Sequence, residues 1–293
     1  MTTVTLLSDI TYAEVDGRAL QLDLYLPDME GPVPAVIYLH GGGWGRGDKV
    51  DDAETRLKPA AAHGIAVLSA NYRLAPSAVY PAQIHDVKAA VRWARAHGAE
   101  YGLNTDAIGL WGVSAGAMLA SLVGLTPNDP ALEGTLGEDR DQSSMVQAIA
   151  HWFGPTDFVT TATRSPLEAR IVPPPFERTL LGSGSADEIA AKARDASPLG
   201  RVSAAAPPLL IMHGDRDRMV PIADAEAFHA ALSRCGAHST FVSVAGAGHD
   251  DPVFNSTSNI AITVAFLRAV LASSVVSLTA PSRVRFSTTS FDQ

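Results

Sequence analysis

A chain of 293 residues, 46% hydrophobic and 18% charged, can bury a large core and falls within the range of one large α/β domain, which excludes a disordered or fibrous protein. Its formal net charge of −9 argues against a nucleic-acid partner, because phosphate binding calls for a basic face, and its single cysteine, Cys235, excludes an intramolecular disulfide. No apolar run is long enough to span a bilayer, and the opening MTTVTLLSDITYAE lacks the basic start and apolar centre of a secretory signal, so a cytoplasmic location is expected.

Residues 10–15 and 20–25 read as strands with no helix between them, hence an antiparallel hairpin at a sheet edge. Residues 33–40, VPAVIYLH, form a short apolar run rich in β-branched residues and predict a buried strand that ends in three glycines; residues 64–72 read the same way. The stretch 84–97 places Ile84, Val87, Val91 and Ala94 on one face at helical spacing. Strand 107–113 then feeds helix 115–125. Strands follow at 148–153, 208–213 and 241–245, with helices at 186–193, 223–233 and 258–271. This alternation predicts one α/β domain over 1–272, built on a mostly parallel sheet covered on both faces. The polar, Pro- and Gly-rich stretches 126–144 and 159–184 break the rhythm and read as a lid or pocket walls. The Ser/Thr-rich tail 273–293 has no clear periodicity and stays unassigned.

Two short motifs carry chemistry. Gly112-Val113-Ser114-Ala115-Gly116 follows one expected strand and opens one expected helix, the context in which G-x-S-x-G exposes a nucleophilic serine on a tight turn. Glycine at 112 and 116 removes side chains that such a turn would bring into collision, and the helix start aims free N–H groups, that of Ala115 first, at a developing negative charge. Alone, the motif also fits a serine capping a helix beside packing glycines. His40-Gly41-Gly42-Gly43-Trp44, at the end of another strand, adds the second half: a glycine run lets backbone N–H groups approach a substrate oxygen as an oxyanion hole requires. An acid and a histidine should follow the serine along the chain. Strand 208–213 ends in Gly214-Asp215-Arg216-Asp217, which offers two acids, and His249 sits in a glycine-rich loop after the last strand. Strand C-terminal ends are where open α/β sheets build their sites.

With Asn71-Tyr72-Arg73-Leu74-Ala75-Pro76, Tyr80-Pro81-Ala82 and Asp86 before Trp93, these motifs resemble the esterases and lipases of the α/β-hydrolase superfamily. The likeness is greatest to the hormone-sensitive-lipase-like and feruloyl-esterase-like (BD-FAE-like) carboxylesterases that carry HGGGW, and it runs from Tyr38 to His249. The resemblance implies the α/β-hydrolase fold, a mostly parallel eight-stranded sheet with helices on both faces and a small lid from the loop insertions. Members with GDxDxxVP use the second aspartate, so it implies a triad of Ser114, Asp217 and His249, with Asp215 ordering its loop by accepting N–H bonds. It further implies hydrolysis of a small-molecule carboxylic ester through an acyl-enzyme, an oxyanion hole of Gly42, Gly43 and Ala115, and no cofactor, with the oligomeric state, monomer or homodimer, left open. Trp44, Phe158 and Val220 are candidate substrate contacts. No two histidines show metal-ligand spacing, so no metal is expected; His40 reads as a brace for the glycine loop and His213 as a strand end.

Two alternatives stay open at this point. Small amides such as aryl formamides react by the same steps. A non-catalytic binding protein can share the fold, although such proteins usually lose a triad member and this chain has all three. Acyl preference follows from the surroundings of the motifs. Hormone-sensitive-lipase-like members often carry a long helical N-terminal cap, whereas here the strand leading to the glycine run begins at residue 33. A long acyl chain needs an apolar cover worth about 0.8 kcal/mol per buried methylene, and 126–144 is too polar to provide it. A series of p-nitrophenyl esters should therefore give its highest kcat/KM at acyl chains of about two to six carbons, where burial of a few methylenes suffices; a steady climb to lipid-length chains would overturn the expectation.

Overall fold

The computed structural model describes residues 2–127, 129–159 and 176–278. β1 (Val4–Val15) and β2 (Arg18–Pro27) form the expected edge hairpin. β3 (Val33–Leu39), β4 (Ala66–Ala70), β5 (Leu103–Val113), β6 (Ala148–Trp152), β7 (Leu209–Gly214) and β8 (Ser239–Val244) complete a sheet of eight strands in the order β1-β2-β4-β3-β5-β6-β7-β8. β2 pairs antiparallel with β1 and β4, and the other pairings are parallel.

The central strands read as continuous apolar runs because both of their faces are covered. Along β3, Ile37 and Leu39 face a core shared with α2 (Ala82–His97), α3 (Ala115–Leu125) and, further along the sheet, α7 (Ile222–Arg234). Val36 and Tyr38 face the other core, which α1 (Lys58–Ala62) and α8 (Thr257–Leu278) close. The period of two in a strand sorts neighbouring residues into the two layers, and each large aliphatic side chain buried there contributes about 1.5–3 kcal/mol.

Chain order and strand order diverge at β3. From β3 the chain moves outward to β4 on one side, then crosses back to β5 on the other. Such a reversal leaves a crevice beyond the strand C-termini. The glycine run after β3, Ser114 after β5, Asp217 after β7 and His249 after β8 all emerge at that end.

Three segments differ from the sequence-based expectation. No helix is expected over 53–62, yet a wide turn at Ala53–Leu57 leads into α1; only Leu57, Ala60 and Ala61 are buried apolar residues there, too few to set a helical period. α8 runs on to Leu278, through the start of the stretch assigned to the tail, because each residue added to a formed helix adds a hydrogen bond. The insertion 126–144, read as a lid or pocket wall, packs against α2. It starts where α3 ends, and 11 helical residues at about 1.5 Å rise carry it roughly 16 Å from Ser114, toward the opposite end of the sheet. There it braces α2. Its short helix α4 (Pro130–Glu133) presents Glu133 to the buried cations Lys88 and Arg92, and Arg92 also donates to the Leu136 carbonyl at 2.7 Å. The acidic composition of the stretch thus answers charges on α2. Of the second insertion, 159–184, the middle with Leu167, Ile171 and Val172 lies outside the described residues, as do 279–293. Its last part forms α5 (Phe176–Leu181), which precedes α6 (Ala186–Asp195).

His151, in the middle of the sheet on β6, is fully buried. Ser121 donates to its Nδ1 (2.8 Å), and its Nε2–H donates to the Gly154 carbonyl (3.0 Å), an arrangement that suits the neutral ring. Burial pushes its pKa down from 6.5 to about 4, despite the opposing carbonyl contacts. A lowered imidazole pKa means that the unfolded chain binds the extra proton first. Stability is therefore whole above pH 6.5 and declines as pH falls toward about 4, by about 3 kcal/mol for this group. Unfolding free energy followed against pH should show that slope in the wild type and a flatter one in His151→Gln; equal slopes would refute the assignment.

Candidate active site

The sharpest local constraint is the turn at Ser114, whose φ of 51° and ψ of −119° lie in a region that a residue with a side chain rarely adopts. Glycines permit it. A Cβ at Gly112 would stand 2.1 Å from the Gly116 carbonyl oxygen, and one at Gly116 would stand 2.1 Å from the Leu39 carbonyl oxygen. β5 and α3 can therefore fold back on each other and press on the end of β3 only with hydrogen at both positions. The Ser114 N–H is tied to the Trp152 carbonyl at 2.9 Å, which fixes the turn against β6.

The serine side chain is then aimed at the histidine. Ser114 Oγ lies 2.9 Å from His249 Nε2, and His249 Nδ1 lies 2.7 Å from Asp217 Oδ2. A carboxylate can only accept, so Nδ1 carries the proton and Nε2 is left free to take one from Ser114. The side chain of Asp217 is fully buried and that of His249 is 12% exposed. Asp217 Oδ1 accepts the N–H groups of Met219 (2.8 Å) and Val220 (2.9 Å), and His213 Nε2 stands 3.3 Å from Oδ2 while donating to the Val220 carbonyl at 2.8 Å. Burial pushes the carboxyl group up. The hydrogen bonds from His213 and His249, the charge of His249 and the Val220 N–H outweigh it and hold Asp217 well below the usual carboxylate range. Asp215 accepts the Gly246 N–H at 2.7 Å, so it orders the histidine loop from outside the triad.

The glycine loop after β3 lies against the nucleophile: a Cβ at Gly41 would meet Ser114 Cβ at 3.3 Å. Gly42 and Gly43 have positive φ (103° and 60°), and the Gly45 N–H closes the turn on the Gly42 carbonyl at 3.2 Å. Among the described residues, the N–H groups of Gly42, Gly43 and Ala115 have no acceptor within the chain, and they lie on the two segments that flank Ser114. His40 braces the loop as expected. Its ring stacks on Tyr72 with centroids 4.3 Å apart, its Nδ1–H donates to the Gly41 carbonyl, and burial lowers its pKa.

The three residues named as substrate contacts take other places. Trp44 is 2% exposed, donates Nε1–H to the Ala115 carbonyl at 3.1 Å and packs edge-on against Phe158, which has no exposed surface. The pair wedges the glycine loop onto the start of α3 rather than lining a pocket. Val220 is likewise buried, and its backbone serves Asp217. Aromatic residues after a glycine run read as pocket walls in sequence because nothing local indicates which way they turn. Phe176 of α5, by contrast, is 45% accessible and so near Gly43 that a Cβ there would meet the ring at 2.8 Å.

Two neighbours escaped sequence reasoning. His213 shares the triad carboxylate; its position four residues before Asp217, at a strand end, was the available signal. Phe153, at the end of β6 with φ of 39°, packs edge-to-face on His249 at 5.2 Å and backs onto Phe254. It left no signal beyond an apolar strand end. Among the described residues no three His, Cys, Asp or Glu side chains converge as metal ligands would.

Comparison with known proteins agrees with this geometry. Esterase LipC of Mycobacterium tuberculosis is 36% identical over 219 residues, 74% of this chain and 53% of LipC. The probable carboxylic ester hydrolase LipM of the same organism is 35% identical over 223 residues, 75% of this chain and 50% of its own length. The chain thus spans about half the length of these curated relatives. Among solved structures, a truncated carbohydrate esterase from gut microbiota superposes with a TM-score of 0.78 at 28% identity, covering 92% of this chain and 97% of that one. Esterase 2 of Thermogutta terrifontis phosphorylated by paraoxon gives a TM-score of 0.70 at 25% identity, covering 92% and 94%. The sequence profile of the BD-FAE family matches residues 22–232, the greater part of the chain, and the chain belongs to that family, on an α/β-hydrolase fold.

Proposed function

We propose that the chain is a serine carboxylesterase that cleaves small carboxylic esters through an acyl-enzyme. The observation that carries this reading is the unbroken line from Ser114 Oγ through the two ring nitrogens of His249 to the buried carboxylate of Asp217, at 2.9 and 2.7 Å. Ser114 attacks the ester carbonyl carbon as His249 Nε2 takes the hydroxyl proton. The oxygen of the tetrahedral intermediate becomes negative beside the free N–H groups of Ala115, Gly42 and Gly43, where fixed donors in a water-poor cleft stabilise charge strongly. Collapse expels the alcohol, which leaves with the proton held on Nε2. Water then attacks the acyl-serine by the same route and restores Ser114. Asp217 keeps the proton on Nδ1 and stabilises the imidazolium formed in each half-reaction.

Names of relatives support the reaction class: esterases and carboxylic ester hydrolases, and a structural neighbour phosphorylated by paraoxon. Phe176 over Gly43 narrows the approach to the oxyanion donors and favours compact acyl or aryl groups. The neighbour described as a carbohydrate esterase makes acylated sugars a second set of substrates to assay.

Ser114→Ala should lower kcat for p-nitrophenyl esters by more than about 10³-fold while the circular dichroism spectrum stays unchanged. Paraoxon should label Ser114 and no other serine, as read by peptide mass spectrometry. Labelling elsewhere, or greater turnover of aryl formamides than of p-nitrophenyl, feruloyl and acetyl-sugar esters, would sink the proposal. The two acids give a separate test. Asp217→Asn should cost about 10³–10⁴ in kcat by reversing the histidine tautomer. Asp215→Asn, which keeps an acceptor for the Gly246 N–H, should cost less than about tenfold, since only a neutral hydrogen bond changes. The reverse ranking would make Asp215 the triad acid.

A further inference from the structure

A buried arginine outside the triad holds the far side of the histidine loop. Arg56 has no exposed surface and lies in the wide turn before α1, where the N–H groups of both Arg56 and Leu57 converge on the Asp52 carbonyl. That turn swings its side chain across the C-terminal ends of the strands. The guanidinium meets five groups from separate parts of the chain. Nη1 donates to the Tyr38 hydroxyl of β3 (2.9 Å) and to Asp52 Oδ2 (2.8 Å). Nη2 donates to Asp250 Oδ1 (3.0 Å), Nε donates to Asn255 Oδ1 (2.8 Å), and the cation stands 5.1 Å from the ring centre of Trp152 on β6. Burial opposes the charge, but Tyr38, Asp52 and Asp250 outweigh it and hold the guanidinium pKa above its ordinary value. A buried cation this well matched can be discarded only at the cost of several partners.

The partners locate its role. Asp250 follows His249 directly and has a left-handed φ of 51°; Asn255 closes the same loop before α8. The loop has little packing of its own on the side before the histidine, where a Cβ at Gly246 or Gly248 would meet no atom within 4 Å. On that side it is pinned by Asp215 through the Gly246 N–H, and by the Arg216 N–H to the Ala247 carbonyl at 2.9 Å. On the other side the pins are Arg56 to Asp250 and Arg56 to Asn255. His249 is held between two clamps, one borne by the loop after β7 and one by the turn after the glycine run. We propose that Arg56 is a positioning residue for catalysis, which through Asp250 and Asn255 fixes the backbone of His249 at the place from which Nε2 reaches Ser114. The inference rests on the serine-esterase reading given above.

The consequence is kinetic. A displacement of about 1 Å at a reacting group can cost about 10²-fold in rate. Freeing the loop should lower kcat and leave KM nearly unchanged, because Arg56 is fully buried and the Asp250 carboxylate is engaged by it. Asp250 is the safer site for substitution, since its side chain is 53% exposed and its loss empties no core. Asp250→Gly keeps the left-handed backbone free of strain while removing the carboxylate. It should lower kcat about 10–100-fold with KM within about twofold, and slow paraoxon labelling of Ser114 in parallel. Asp250→Asn, which retains an acceptor for Nη2 and tolerates positive φ, should keep most of the turnover. Arg56→Met should lose at least as much as Asp250→Gly, and the double variant should lose no more than the worse single one, because both cut the same tie. Wild-type kcat in Asp250→Gly, or losses that multiply in the double variant, would overturn the inference even if Arg56→Met fails to fold. Ser114→Ala in the same assay separates the two readings: turnover that survives it removes the esterase mechanism, whereas turnover that depends on Ser114 but ignores Asp250→Gly removes only the role of Arg56.

Discussion

The structure depends on one close backbone approach, the contact of Gly116 with the carbonyls of Leu39 and His40 at the end of β3. It joins the strand that carries the glycine loop to the turn that carries Ser114. With hydrogen at Gly112 and Gly116, Ser114 can take its positive-φ conformation, β5 can pass straight into α3, and the segment with Ala115 lies beside the one with Gly42 and Gly43. Any side chain at these points would collide with backbone atoms, which cannot move aside as a flexible side chain can.

Around that contact the electrostatics form a graded series. Asp217 is buried, and its cost of desolvation is offset by backbone N–H groups on Oδ1 and by His213, which shares Oδ2 with His249. The carboxylate accepts from His249 Nδ1 and so fixes the tautomer that leaves Nε2 unprotonated. His151 and His40, equally buried but facing carbonyls and a hydroxyl instead of a carboxylate, are driven toward the neutral form.

Four of the described non-glycine residues with positive φ cluster near Ser114 and His249, while Asp9, Asp16 and Asp52 lie outside that cluster. Trp44, Ser114, Phe153 and Asp250 all have positive φ, a conformation that costs about 1–3 kcal/mol for a residue with a side chain. Each is held by a partner that a relaxed backbone would lose: Trp44 by the Ala115 carbonyl, Ser114 by the Trp152 carbonyl, Phe153 by its N–H to the Met212 carbonyl at 2.8 Å, and Asp250 by Arg56. The strand ends are stiffened by these contacts, so the reacting side chains project from rigid points although they sit on loops.

How much of this was legible in advance depends on the range over which the information is written. Apolar runs with β-branched residues, helical spacing at Ile84, Val87 and Val91, and glycines flanking Ser114 are contiguous in the chain, and they determined the strands, the main helices, the tight turn at Ser114 and the glycine loop. The order of serine, acid and histidine expected along the chain pointed to His249 and one of two aspartates, of which the resemblance implied Asp217. Tertiary structure alone placed Asp217 against Nδ1 and Asp215 against the Gly246 N–H, because residues two apart in one loop differ only in where the loop turns them. It alone turned Trp44 and Phe158 inward, carried the acidic stretch 126–144 away from Ser114 to the cations of α2, and brought Arg56 to Asp250 across 194 residues of sequence. Local patterns are set by neighbours within a turn or a pleat. A pairing between strand ends is set by how the whole sheet is wound, and no short window of sequence contains it.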